Sequence, residues 1–189
     1  MQAGSYSCAP NLHGLPLCGY LLFSDLKKGL VFRRKQLTRE QAYQKLKHYC
    51  AYQDRCHSEL KEKAYSLGLR KTDVEALTAR LIEENALNEE RFAIKFAGGK
   101  FRMKQWGKVK IKSELRKKRV SDYLIKKAMK EITDDDYKET IFMLAKKKWN
   151  SIKGGGINQF VKMAKTRDYL LQKGYEAAVI AVVIKKLQE

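Results

Sequence analysis

Proline is almost missing from this chain of 189 residues: Pro10 and Pro16 are the only two, so everything from Thr38 onward is free of the strongest helix breaker. Long apolar runs are missing as well. The best, Leu15 to Phe23, is interrupted by Pro16 and Gly19 and falls far short of the roughly 20 residues that cross a membrane as a helix. No Lys or Arg precedes it, which argues against a signal peptide, and Cys18 follows Pro16-Leu17 rather than the small residues of a lipoprotein cleavage site. A cytoplasmic location with no membrane partner is expected.

Residues that carry chemistry are equally sparse. Four cysteines, Cys8, Cys18, Cys50 and Cys56, stand in a lysine-rich chain without the density of a disulfide scaffold, so reduced thiols are expected. Cys50 and Cys56-His57 lack paired C-x-x-C spacing and a second His/Cys cluster, which leaves no metal site in view. Three histidines and no glycine-rich phosphate loop leave little for catalysis. Gly154-Gly155-Gly156 lacks the Gly-Lys-Ser/Thr ending of such a loop and reads as a turn between helices. The run Asp134-Asp135-Asp136 reads as a solvated helix start. No enzyme and no cofactor is expected.

Positive charge is abundant and uneven. Of the net excess of +19, residues 88–133 hold 15 Lys and Arg against 5 acidic residues, about half of the whole. Residues 1–37, 38–87 and 134–189 contribute +4, +1 and +4. A pI near 9.8 with this clustering is the electrostatic footprint of a chain that meets a polyanion.

The pattern after Thr38 is helical, with apolar residues recurring at three and four positions. Thr38 with Gln41, and Thr72 with Glu75, have capping-box spacing, and Ser121 sits at a further helix start. Phe92, Phe96, Met103 and Trp106 form one stripe; Tyr137, Ile141, Leu144 and Ile152 form a second; Leu46, Tyr49 and Gln53 form a weaker third. These stripes are assigned to core packing rather than to base stacking.

Three junctions repeat: Gly68-Leu69, Arg119-Val120 and Gly174-Tyr175, separated by 51 and 55 residues. Each is preceded at four residues by a core position (Ala64, Leu115, Leu170) and followed by a short apolar helix. Glycine there permits the left-handed conformation that ends a helix; Arg119 would hold it at some cost. The reading is an all-α fold, an elongated, curved array of three tandem three-helix repeats at 38–87, 88–133 and 134–189. Residues 1–37 form a poorly ordered extension or a small hairpin around Lys27-Lys28-Gly29.

The string Leu87-Asn88-Glu89-Glu90-Arg91-Phe92-Ala93, joined to Gly107, Ile111, Glu114-Leu115 and Val120 and to the three repeats, resembles the RecX family of bacterial regulatory proteins over about residues 38–189. The chain departs from the family where Arg119 replaces the usual glycine, Asn88 replaces a commoner acidic residue, and Gly98-Gly99 interrupts a long helix. The resemblance implies a non-enzymatic monomer that binds the RecA recombinase filament along its groove and restrains filament growth, ATP hydrolysis and strand exchange.

In a helix over 107–119, Ile111 and Leu115 point inward, Lys108, Lys112, Arg116 and Arg119 fall on one flank, and Lys110 with Lys117 fall on the other. Lys100, Arg102 and Lys104 extend the same field ahead of it. These nine cations are the candidate face toward RecA or toward phosphates of single- and double-stranded DNA. Glu90 and Arg91 read as structural, pairing with neighbouring charges. The alternative is a sequence-independent DNA- or RNA-binding protein that acts without RecA; few Asn or Gln on the basic helix suit base-edge reading.

Overall fold

Helix α1, Arg39–Tyr52, starts where the sequence places its capping box: Thr38 accepts from the Gln41 amide, and the Gln41 side chain accepts from the Thr38 amide. In the computed structural model, which describes residues 37–154 and 158–188, it is followed by α2 (His57–Ser66), α3 (Lys71–Glu83), α4 (Glu89–Lys104), α5 (Lys108–Lys117), α6 (Asp122–Met129), α7 (Asp134–Ser151), α8 (Gln159–Lys173) and α9 (Ala177–Lys186). No strand occurs among the described residues. The extension read from the sequence at 1–37, with its possible hairpin, lies outside them except for Leu37, as do Gly155 and Gly156.

The helices pack in consecutive triads, α1–α3, α4–α6 and α7–α9. The first has its own core around Tyr43, Leu46, Leu60 and Leu81, while the second and third share one built on Ile111, Leu115, Ile141, Leu170 and Ile180. Cys56, at the start of α2, is fully buried in that second core, so the first triad inserts one side chain into the next.

The three junctions are one structure built three times. Leu69, Val120 and Tyr175 donate amides to the carbonyls of Ala64, Leu115 and Leu170; Gly68, Arg119 and Gly174 donate to Tyr65, Arg116 and Leu171. This is the Schellman pattern that satisfies the last carbonyls of a helix. It needs a left-handed residue, and φ is +85°, +60° and +88° at Gly68, Arg119 and Gly174.

The middle helices of successive triads meet end to end. The Gly107 amide donates to the Lys173 carbonyl at 2.8 Å and the Val109 amide to the Gly174 carbonyl at 3.1 Å, so the start of α5 uses acceptors left open at the end of α8. The Lys108 amide donates to the Tyr137 hydroxyl at 3.2 Å. Likewise the Ser58 hydroxyl, in the first turn of α2, donates to the Lys118 carbonyl at the end of α5 at 2.7 Å. A positive helix start against a negative helix end is also the favourable alignment of dipoles. Backbones approach so closely at the first of these contacts that a Cβ on Gly107 would lie 2.1 Å from the Gly174 oxygen.

Several sequence expectations are corrected. Thr72 caps nothing: α3 begins after Arg70, and Thr72 lies inside its first turn. The weaker stripe ends early, because Gln53 is exposed and terminates α1. Gly98-Gly99 does not interrupt α4, which runs unbroken through both. Nor is Phe92-Phe96-Met103-Trp106 the core stripe of that helix. Phe92 is buried, but Phe96 and Trp106 are only partly so and Met103 is 82% exposed. The buried face is Ala93, Ala97, Gly98 and Phe101, where the small Ala93 and Ala97 let α4 lie close against α6, while the aromatic stripe is centred about two fifths of a turn away. The Tyr137 stripe is buried as expected.

Three measurements check this fold. Arg119→Gly relieves about 1–2 kcal/mol of left-handed strain against about 0.5–1 kcal/mol of added chain entropy; a higher urea midpoint is expected, and a lower one would show that Arg119 makes contacts that matter more. Gly107→Ala, forced onto backbone, should cost about 3 kcal/mol, whereas Gly99→Ala, with no atom within 4 Å of the new methyl, should raise helix stability. Glu84, which accepts from Lys47, Tyr43 and Arg80, has its carboxyl held down from 4.5 to about 2. Its stabilising effect is present above pH 4.5 and disappears as the pH falls toward about 2, so the stability gap between the parent chain and Glu84→Gln should close across that window.

Candidate functional site

Each of the nine candidate cations is positioned by α4, by α5 or by their caps. On α5, Ile111 and Leu115 are fully buried, as the spacing predicts, and their neighbours are divided between the two flanks. Lys108 bends back to Asp134 at 2.8 Å and lies over the Tyr137 ring; its side chain is only 20% exposed. Lys110 turns the other way, over Trp106 at 4.9 Å and onto the Gln172 carbonyl at 3.1 Å. Arg116 pairs with Asp122 at 3.0 Å, and Lys117 with Glu114 at 2.8 Å. These four cations are committed to the fold, although Arg116 and Lys117 remain largely exposed.

The other five differ. Lys100, Arg102, Lys104, Lys112 and Arg119 have no carboxylate of the described residues within 4.0 Å. Arg102, Lys104 and Arg119 are exposed, and the Lys100 ammonium lies 5.2 Å from both the Phe96 and the Trp106 ring centres. Arg102 lies along α4, its guanidinium 2.9 Å from where a Cβ on Gly98 would stand. The structure therefore splits the sequence-derived set into a tied group on α5 and an available group at the end of α4, with Lys112 and Arg119 on α5 and its cap.

Beside this face an open groove of about 570 Å³ runs between the α1–α2 connection and α4–α5. Its floor is the displaced aromatic stripe, Phe92, Phe96 and Trp106, with Met103 at the rim. Its walls carry charges of both signs that largely pair with one another, although Arg55 Nε and Glu59 Oε2 are buried without a hydrogen-bond partner. Burial opposes the charge of Asp54, yet Lys95 and Arg91 outweigh it and hold its carboxyl below the usual range. Glu59 takes Lys118 and Arg55, and Glu114 takes Lys117, which holds the Glu114 carboxyl down. Burial likewise works against Lys118, but its contact with Glu59 keeps the ammonium above the ordinary range. Glu90 and Arg91 are paired with Lys127 and Asp54.

The sequence reading omitted Lys118 and treated the groove aromatics as core. The signal that separates them is the small-residue track Ala93, Ala97 and Gly98, which claims the deep face of α4 for close packing and leaves its large residues to the side. Among the described residues, no three His, Cys, Asp or Glu side chains gather as a metal would require. Cys50 and Cys56 are both free and buried, and His57 faces Glu89 at 3.7 Å. No described helix is long and apolar enough to cross a membrane.

Pairing is uneven along the chain. In residues 88–133, seven of the fifteen Lys and Arg (Arg91, Lys95, Lys108, Arg116, Lys117, Lys118 and Lys127) meet a carboxylate within 4.0 Å. Between 134 and 189, Arg167 is the one of eleven that meets a carboxylate of the described residues. The formal charge maximum in the middle of the chain is thus partly neutralised, and much of the available charge lies on α7 and α8.

Comparison with known proteins agrees with this architecture. Residues 88–129 match the model of the second three-helix domain of RecX, and residues 134–184 match that of the third. The regulatory protein RecX of Clostridium perfringens strain 13 is 30% identical over 129 residues, 68% of this chain and 60% of that protein. The regulatory protein RecX of Bacillus cytotoxicus is 24% identical over 177 residues, 89% of this chain and 64% of that protein. The chain therefore spans about three fifths of the length of these relatives. The crystal structure of RecX from Lactobacillus salivarius superposes with a TM-score of 0.71 at 25% identity, covering 79% of this chain and 96% of that one. A second crystal structure of a regulatory protein RecX shares the fold, with a TM-score of 0.70 at 20% identity. With the sequence motif, the repeated junctions and these matches in agreement, the chain belongs to the RecX family.

Proposed function

We propose that this chain is a negative regulator of the RecA recombinase, which binds the RecA–DNA filament along its groove and limits filament growth, ATP hydrolysis and strand exchange. The observation that carries this reading is the set of cations left without carboxylate partners on a family scaffold whose relatives are named regulatory proteins. A filament of recombinase on DNA offers acidic protein surface and phosphate together, and a rigid helical face studded with lysine and arginine complements both.

The mechanism is binding rather than catalysis. Lys100, Arg102, Lys104, Lys112 and Arg119 supply charge that no described carboxylate neutralises; Lys108, Lys110 and Arg116 mainly hold α5 in place against α7, α8 and α6, and Lys117 is paired with Glu114 within α5. The chain acts as a monomer in the cytoplasm, with its repeats at 38–87, 88–133 and 134–189.

The test is RecA ATP hydrolysis on single-stranded DNA at moderate salt, with this protein titrated in well below one per RecA. Suppression at those ratios is expected. Reversing Lys100, Arg102, Lys104 and Arg119 to Glu should weaken it at least about tenfold, while Arg116→Gln with Lys117→Gln should weaken it less. No suppression by the parent chain, alongside salt-sensitive binding to bare DNA, would instead indicate a nucleic-acid-binding protein that acts without RecA.

A further inference from the structure

The two joints between triads occupy equivalent positions and are built differently. Cys56 caps α2 where Gly107 caps α5, so Cys56, His57 and Ser58 stand where Gly107, Lys108 and Val109 do, and Arg119 stands where Gly174 does. Glu89 and Phe92, the first and fourth residues of α4, correspond in the same way to Asp134 and Tyr137 of α7. At the joint of α5 with α8, two amides meet main-chain carbonyls and a third meets the Tyr137 hydroxyl. At the joint of α2 with α5, no hydrogen bond between main-chain groups crosses among the described residues.

The side chain at the cap explains the difference. A Cβ at Gly107 would strike the Gly174 oxygen, so a cap that carries one cannot bring the two backbones so close. Cys56 instead sends its thiol wholly into the core of the next triad. Side chains then span what the backbone does not: the Ser58 hydroxyl reaches the Lys118 carbonyl at 2.7 Å. The brace that Lys108 makes to Asp134 at 2.8 Å returns as His57 to Glu89 at 3.7 Å. Phe92 has no hydroxyl to offer, and the His57 amide turns to the Glu89 carboxylate at 3.5 Å.

The cores divide along the same line. Phe101 of the second triad lies 6.1 Å from Tyr137 of the third, which lies 5.2 Å from Tyr175, inside one shared core. Among the described residues, Cys56 is the one side chain of the first triad in that core. Otherwise the first triad is held to the second by ion pairs at the groove wall, Asp54 with Arg91 and Lys95, and Glu59 with Lys118. A small, polar contact between packed units permits relative motion, which a large apolar one resists.

We propose that the first triad is a hinged arm. It swings about the joint of α2 with α5 while the second and third triads remain one body, and the swing opens and closes the groove between the α1–α2 connection and α4–α5. Hinges of this kind turn on a few residues at the ends of elements. In the open state Cys56 leaves the shared core, whereas Cys50 stays covered, because its apolar neighbours all belong to the first triad. The device belongs to the chain alone and requires no recombinase.

The two buried cysteines make the motion measurable. Cys56 is freed by a swing of the arm, Cys50 by unfolding of the first triad, and Arg55 places the two on separate tryptic peptides. The experiment treats the full chain with iodoacetamide and reads modification at each site by mass spectrometry, relative to the same site in the chain unfolded in urea. Cys56 should react at least about tenfold faster than Cys50 on this scale, and its rate should respond less to low urea, since a swing exposes less surface than unfolding. Ser58→Ala and Asp54→Asn each remove a contact across the hinge. Each should speed reaction at Cys56 about fivefold and leave Cys50 unchanged. Equal protection of the two cysteines, greater protection of Cys56, or an unchanged Cys56 rate in both variants would each overturn the hinge. None of these readouts includes RecA, so failure here leaves the ATP hydrolysis result to stand or fall separately.

Discussion

The end-to-end docking of α5 onto α8 is the contact on which the arrangement of this molecule depends. A helix start exposes amides with no partner and a helix end exposes carbonyls with none; here they answer one another at Gly107–Lys173 and Val109–Gly174. The approach is possible because a glycine stands on each side of the joint, Gly107 and Gly174: a Cβ on Gly174 would lie 2.2 Å from that of Lys110. Tyr137 locks the same joint from the side. It accepts from the Lys108 amide and donates to Glu176, and burial together with that carboxylate raises its hydroxyl well above the ordinary range, so it stays a donor at any physiological pH. The Ser58–Lys118 contact places the first triad on the second by related means.

A consequence is that formal charge and available charge are different maps. The middle segment has the larger excess, but its lysines and arginines also do structural work: Lys108 braces Asp134, Arg116 braces Asp122, and Lys118 closes the groove wall with Glu59. The exposed pair Arg116–Asp122 contributes little to stability, about 0–1 kcal/mol, but all three pairs reduce the local field a polyanion meets. The third triad has few acidic residues near its cations and so retains its charge. The junction brings the two regions together, because Lys110 and Lys173 cross it in opposite directions.

Much of the fold was legible in the sequence for physical reasons. The left-handed residues at Gly68, Arg119 and Gly174 repeat because each helix end has the same unsatisfied carbonyls, and the core position four residues earlier repeats with them. Thr38, Ser121 and the acidic run at Asp134 are at helix starts, as local chemistry requires. The face of α4 was misjudged because large apolar residues were given the core, when close packing on α6 selects small ones. Thr72 was misjudged because capping spacing alone does not show where a helix begins, and here Schellman geometry at Gly68 starts α3 two residues earlier. The division of cations into tied and available sets was beyond sequence reading, since the carboxylates concerned lie 26 residues from Lys108 and 59 from Lys118.

Amide hydrogen exchange at Gly107 and Val109 tests the central claim, that the joint between α5 and α8 is a hydrogen-bonded unit. First-turn amides ordinarily exchange quickly because they lack partners inside their own helix. If the joint is as described, Gly107 and Val109 exchange as slowly as the interior amides of α5, Leu115 among them. Exchange at the rate of Gln159 and Phe160, in the first turn of α8, would mean that the two triads are not joined there and that the face across them is not one surface.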